Sequence, residues 1–166
     1  TVSTGTGSGT LGLNVTNSTG VADAAGNPLG NIPFTGAVFT IDRTAPVVSS
    51  IVLVNASPTN LGSVQFFVTL SESVTGISAA NFTLINGGLG GTPAITGASG
   101  SGASWTITAT TGSGSGTLGL NLTNSTGVAD AAGNPLGNLP FTGPVYTIDR
   151  VAPTVASITR VNPSPT

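Results

Sequence analysis

The stretch Gly9–Pro46, GTLGLNVTNSTGVADAAGNPLGNIPFTGAVFTIDRTAP, returns nearly unchanged at Gly116–Pro153 as GTLGLNLTNSTGVADAAGNPLGNLPFTGPVYTIDRVAP. Asp42 and Asp149 are equivalent, which sets a period of 107 residues. The match runs back to Thr1 opposite Thr108 and forward to Ser57-Pro58-Thr59 opposite Ser164-Pro165-Thr166, with no gap. Self-similarity at a fixed period marks a chain built from copies of one unit. Val15 opposite Leu122, Ile32 opposite Leu139 and Phe39 opposite Tyr146 keep apolar bulk, as expected of positions that face a core.

Taking Pro46 as the start of a unit, residues 46–149 form one complete copy. Residues 1–45 are then the C-terminal part of the copy before, and 150–166 the junction and first strand of the copy after. This phase reads as an excerpt from a longer periodic polymer. Terminal repeats that cap an array are usually atypical in sequence, and these are not.

Runs of β-branched and aromatic residues between Gly, Pro, Asn and Ser clusters predict seven strands in the complete copy. They are Val47–Val54, Val64–Ser71, Phe82–Asn86, Ala94–Gly97, Ser104–Thr110, Gly116–Leu122 and Val145–Asp149. Residues 55–62, 87–93 and 98–102 carry turn residues and no periodicity, so they read as loops, and 77–81 as a single helical turn. Seven short strands in about a hundred residues predict an all-β, Greek-key, immunoglobulin-like β-sandwich. Phe66, Phe82, Leu118 and Leu120 are the expected core, and Trp105, the only tryptophan, is expected to fill it.

Between Asp149 and the first strand residues of the next copy stand only Arg150-Val151-Ala152-Pro153, and Arg43–Pro46 repeat that link upstream. A proline fixes φ, and so short a connection cannot behave as a flexible coil. Successive units are therefore expected to stack end to end as a stiff rod, with an axial spacing of about 40–50 Å.

Composition narrows function by subtraction. Histidine, cysteine, methionine and lysine are absent, and charged residues are 5% of the chain. No Ser-His-Asp triad, cysteine nucleophile or zinc site of the usual ligands can be assembled. A carboxylate pair such as Glu72 and Asp130 needs a deep sugar cleft to act as a glycosidase, which a loop cluster at a domain junction does not offer. The chain reads as no enzyme. Three scattered arginines give no basic stripe for nucleic acid or for an anionic membrane surface, and no apolar run is long enough to span a bilayer. Gly112–Gly116 is a turn and no phosphate loop, because no lysine follows. Sequons at Asn14, Asn81 and Asn124 are common by chance in an Asn/Thr-rich sequence. With no cysteine, stability must come without disulfides.

Four motifs carry a resemblance. Ser71-Glu72-Ser73-Val74-Thr75-Gly76 is followed by Asn81-Phe82-Thr83-Leu84, then by Val128-Ala129-Asp130-Ala131-Ala132-Gly133-Asn134-Pro135-Leu136. Tyr146-Thr147-Ile148-Asp149 with Ala152-Pro153 closes the unit. In this combination the chain resembles the bacterial immunoglobulin-like tandem repeats of large surface adhesins and cell-surface filaments, including those of gliding bacteria. The resemblance implies a secreted or cell-surface location and a role in adhesion or fibre building. The acidic content here is low for that family, where calcium dependence is common among related adhesins.

With ordinary immunoglobulin strand order, the second-to-third and sixth-to-seventh strand loops lie at the end facing the preceding unit. Asp42, Arg43 and Pro46 would then meet Glu72 and Asp130 at one junction, with Asp149, Arg150 and Pro153 forming the next. Three arrangements fit. Arg43 can bridge Glu72 and Asp130 through its planar fork. A Ca²⁺ ion can take oxygens from Asp42, Glu72 and Asp130, with carbonyls or Asn134 completing 6–8 ligands. Simple solvated charge is the third, and no other cofactor is implied. Function then reads as a structural repeat of a secreted or cell-surface fibre or adhesin, a stiff spacer whose partners are other repeats of the same polymer. The alternative is an adhesion module contacting glycans, ice or a host or cell-surface protein. A third possibility, that units interlock by sharing strands, would make 1–43 or 154–166 complete a neighbouring sandwich.

Overall fold

A computed structural model describes residues 1–162. The strands are β1 (Gly9–Val15), β2 (Phe34–Ile41), β3 (Val48–Leu53), β4 (Ser63–Val74), β5 (Phe82–Gly87), β6 (Ile95–Thr110), β7 (Gly116–Leu122) and β8 (Phe141–Ile148), with one 3₁₀ turn at Ala79–Asn81. Three antiparallel sheets result, ordered β1-β2, β3-β4-β6 and β5-β7-β8. The last two make an immunoglobulin-like sandwich from β3 to β8, as the strand pattern predicts.

Period-2 alternation drives the packing. In β4, Val64, Phe66, Val68 and Leu70 are buried, while the residues between them are exposed or half-exposed. Successive side chains of a strand point to opposite faces, so this pattern commits one face of β4 to the core. Ile51, Ile107 and Ala109 join it from the same sheet, and Phe82, Leu118, Leu120, Leu122, Tyr146 and Ile148 meet it from the other. The Phe66 and Tyr146 rings touch edge to face across the two layers, with centroids 5.1 Å apart.

β6 is two limbs in one extended run. Its second limb pairs with β4 from Ser63↔Thr110 to Thr69↔Ser104. Its first limb folds back on the second, with the Thr110 amide donating to Ala94 O at 2.8 Å and Thr96 Oγ1 to Thr108 O at 3.3 Å. Gly100 and Gly102, at φ 144° and 60°, make that reversal. These limbs are the expected fourth and fifth strands.

Two expectations need correcting. β4 runs to Val74, so Glu72 lies within the strand and not in the loop beyond it. Trp105 is only partly buried and packs at the margin of the core, its Nε1 donating to Gly102 O at 3.0 Å. It sits next to the reversal of β6, where the layers no longer enclose a large ring. Among the described residues, 154–162 carry no strand. Ser164–Thr166 of the repeat lie outside the described residues.

β1 and β2 reproduce β7 and β8 closely. Gly9↔Ile41 through Val15↔Phe34 matches Gly116↔Ile148 through Leu122↔Phe141, and both ladders shift register at the same place, Gly12/Asn14 and Gly119/Asn121.

Candidate functional site

The junction between the β1-β2 hairpin and the sandwich gathers the charged residues. Asp42 and Arg43 follow β2, Pro46 precedes β3, Glu72 is near the end of β4, and Asp130 lies in the β7–β8 connection. Carboxylate oxygens of Asp42, Glu72 and Asp130 all lie within 4.8 Å of one another. Asp42 and Glu72 border a groove of about 410 Å³ lined also by Thr40, Ser73, Ala131 and Ala132. The strand order therefore brings together the three acids that the sequence places far apart.

Backbone pairing fixes the loops that carry them. Thr75 and Ala129 exchange amide-to-carbonyl bonds of 2.9 and 3.3 Å, tying the end of β4 to the β7–β8 connection. Gly76, at φ 87°, lies so close to the Gly127 carbonyl that a Cβ there would overlap it, so this approach requires glycine. Val128 and Leu136 are buried beneath the loop.

Asp130 organises its own loop. Its Oδ1 accepts from the Ala132 and Asn134 amides, each at 2.8 Å, and its Oδ2 from Asn134 Nδ2 at 2.8 Å. These bonds, the Asn134 side chain first, hold the Asp130 carboxyl below its ordinary range, because hydrogen bonds to the charged form favour it. Asp23 does the same in the first copy, with the Ala25 and Asn27 amides and Asn27 Nδ2 each at 2.9 Å, and is likewise lowered. Asn134 Nδ2 also donates to Asp42 O at 3.3 Å, a direct bond across the junction. In this arrangement Asn134 presents its Nδ2 donor to Asp130 and to the Asp42 carbonyl.

The expected arginine fork is absent. Arg43 instead donates to Gly7 O at 2.6 Å and Thr4 Oγ1 at 2.7 Å, both in its own copy. Arg150 repeats this on Gly114 O and Thr111 Oγ1, at 2.7 and 2.5 Å, and adds Leu61 O at 2.8 Å. Main-chain carbonyls of the same unit stand closer to the guanidinium than carboxylates across the junction. The arginine thus locks the end of the last strand into its own unit. Pro46 is buried, and its carbonyl accepts from the Gly137 amide at 2.8 Å. Pro153, the equivalent beyond Asp149 and Arg150, is exposed.

Sequence reasoning missed two buried polar hubs. Tyr146, read as apolar bulk, accepts at its hydroxyl from the Val54 and Asn55 amides at 3.0 and 2.9 Å and donates to Gln65 O at 2.6 Å. Asn81, buried at 1% exposure, donates to Thr126 O at 3.0 Å and accepts from the Ser78 amide at 2.8 Å. Its burial makes it unsuited to carry a glycan. The change of Phe39 to Tyr146 between copies is the one signal in the sequence for the first hub.

The donor set of the acid cluster is all oxygen and comes from three separate segments. It fits a hard divalent cation such as Ca²⁺, and offers nothing to a soft metal. Among the described residues no helix is long and apolar enough to cross a membrane.

The model of a family described as "Bacterial Ig-like domain" matches residues 42–141. Among solved structures, the N-terminal part of the bacterial S-layer protein SbsC is similar at 20% identity with a TM-score of 0.41, covering 67% of this chain and 25% of that one. This chain thus spans about a quarter of the length of that structure. No curated protein matches it.

Proposed function

We propose that this chain, which belongs to the bacterial Ig-like domain family, serves as a stiff structural repeat of a secreted or cell-surface fibre or adhesin and has no catalytic role. Residues 46–149 are one complete unit, 1–45 the last part of a preceding unit and 150–166 the start of a following one. The observation that carries this reading is the junction itself. Four residues link the units, the Pro46 carbonyl is bonded to Gly137 and the Asp42 carbonyl to Asn134. A connection bonded on both sides of its proline resists bending. In line with this, Phe66, Phe82 and Tyr146 face inward and hold the two layers together.

The exposed face of β1-β2 supports the division into units. In the complete unit the same face is covered by Ile51, Phe66 and Val68 of the β3-β4-β6 sheet. A sheet of that kind, from a preceding copy, is its occupant. The test is alignment of the two regions in solution. Residual dipolar couplings for residues 9–41 and 46–149 should fit one alignment tensor, and separate tensors would refute the stiff spacer.

A second reading rests on the acid cluster. Three carboxylates within 4.8 Å of one another repel unless a cation is shared, and Ca²⁺ there would stiffen the junction further. Calcium should then raise the melting midpoint of the chain and chelator lower it, with Glu72→Gln removing the response. An unchanged midpoint would leave the junction to its hydrogen bonds alone.

A further inference from the structure

The charges of the complete unit are confined to its two ends. From Ser73 to Ala129 there is no charged residue, and this span contains β5, both limbs of β6 and the whole of β7. The flank built from β5 and the first limb of β6 is therefore neutral, while Asp42, Glu72 and Asp130 mark one end and Asp149 and Arg150 the other.

On that flank β5 is an edge strand, paired to β7 alone. Its sequence, FTLING, has no charge and no proline. Thr83, Ile85, Asn86 and Gly87 are exposed. Natural sheets guard such an edge with lysine, proline, bulges or a covering loop. None of these occurs in β5, whose ladder to β7 is regular throughout.

The outer face beside this edge carries one apolar row, set between Thr83 with Asn121 on one side and Thr117 with Thr147 on the other. Ile85, Gly119 and Val145 stand side by side across the three strands, with Ile85 49% and Val145 50% exposed. A Cβ on Gly119 would lie 3.1 Å from Val145 Cγ2 and 3.6 Å from Ile85 Cβ. The two side chains thus close over the glycine into one ridge that ends at the free edge.

We infer that the outer edge of β5 is a lateral pairing surface for a second copy of this chain, joined antiparallel about a two-fold axis into a six-stranded sheet. A second copy is the fitting occupant because two neutral flanks meet without burying a charge, which would be costly. A neutral flank also offers a charged partner nothing to select. An antiparallel edge is self-complementary in its backbone donors and acceptors, and a two-fold contact places the same patch on both sides. Ile85 would then lie beside its own symmetry mate, which continues the ridge from sheet to sheet. The inference goes beyond the proposed function and does not depend on the junction being rigid.

Sedimentation equilibrium of the 166-residue chain up to ~1 mM, the weak limit for a specific contact, should show a monomer–dimer equilibrium. Ile85→Lys should weaken the dimer by about tenfold or more, since the two introduced charges meet across the new ladder, and Thr83→Lys should weaken it as well by setting a lysine into the pairing edge opposite Gly87 of the second copy. Circular dichroism and the melting midpoint should stay unchanged for both. Phe39→Lys, on the exposed face of the β1-β2 hairpin, should leave the equilibrium as it is. Because the chain has no cysteine, Ile85→Cys should form a disulfide dimer on oxidation well ahead of Val52→Cys, which lies on the other sheet at similar exposure. A chain that stays monomeric throughout would overturn the inference. So would an association that Phe39→Lys abolishes and Ile85→Lys leaves intact, or equal cross-linking at the two cysteines.

Discussion

The β1-β2 and β7-β8 hairpins share nearly all their sequence and the same register, down to the irregularity at Gly12/Asn14 and Gly119/Asn121. Their environments are opposite. Leu13 is 70% exposed and Phe39 71%, whereas their equivalents Leu120 and Tyr146 are both at 0%. The two ladders share one register, while the burial of their leucines depends on the sheet across from them. A strand pair is a local product of sequence, and a core is a product of assembly. For a repeat polymer this means that each hairpin waits on another sheet for most of its stabilisation.

The sharpest way to break this comparison is to truncate equivalent leucines. Leu120→Ala removes a fully buried side chain and should cost about 2–5 kcal/mol, through lost transfer energy and the cavity left behind. Leu13→Ala, at an exposed position, should fall within about 0.5 kcal/mol of the parent. Urea unfolding followed by Trp105 fluorescence reads the complete unit directly, and similar costs at the two sites would contradict the contrast. Next in size is the hydroxyl by which the copies differ. Tyr146→Phe leaves the Asn55 amide without its partner, while the Val54 amide and the Gln65 carbonyl keep their bond to each other at 3.0 Å, at a cost of about 1–3 kcal/mol. Phe39→Tyr should change stability by less than about 0.5 kcal/mol. Faster amide exchange at Asn55 in Tyr146→Phe, with Val54 held by its bond to the Gln65 carbonyl, would locate the loss.

How much of this could be read beforehand follows the same divide. The strands were legible because Val64, Phe66, Val68 and Leu70 alternate with polar or half-exposed neighbours and the loops are marked by glycine, proline and asparagine. Convergence of Asp42, Glu72 and Asp130 was legible too, since strand order alone places their segments at one end. The partner of Arg43 was not. Its acceptors are a main-chain carbonyl and a threonine hydroxyl of its own unit, and carbonyls leave no trace in a sequence. The Tyr146 hydroxyl was hidden for a related reason, as a substitution that preserves bulk looks like packing. Trp105 was misjudged because residue type sets a preference for burial, while the reversal of β6 beside it sets how much enclosure is available.

Arg150 and Arg43 give a smaller test of how far a unit is completed by its own strands. Arg150 reaches Leu61 O in addition to the two acceptors it shares with Arg43, and the equivalent of Leu61 precedes the residues present here. Arg150→Ala should therefore destabilise the chain by about 1 kcal/mol, the worth of a typical hydrogen-bond set at a surface, and Arg43→Ala by less. Equal effects in thermal melts would mean that the Leu61 contact contributes nothing.

The smallest expected difference lies in the loops at Asp23 and Asp130, and there the two copies should agree. Each carboxylate accepts two backbone amides and an asparagine Nδ2 at nearly the same distances, and each is held below its ordinary range. A carboxyl lowered by folding stabilises the folded form above the unfolded value, near pH 4, and that contribution disappears as pH falls through the lowered folded value. Both loops should therefore loosen in the same acid window, although one overlies a core and the other does not. Carboxyl-carbon titration by NMR would follow them separately. If the neighbouring Asp42 and Glu72 raise Asp130 above Asp23, repulsion across the junction outweighs the loop's own hydrogen bonds. Coincident titrations would show that the loop is set by its sequence alone, as the ladders on either side of it are.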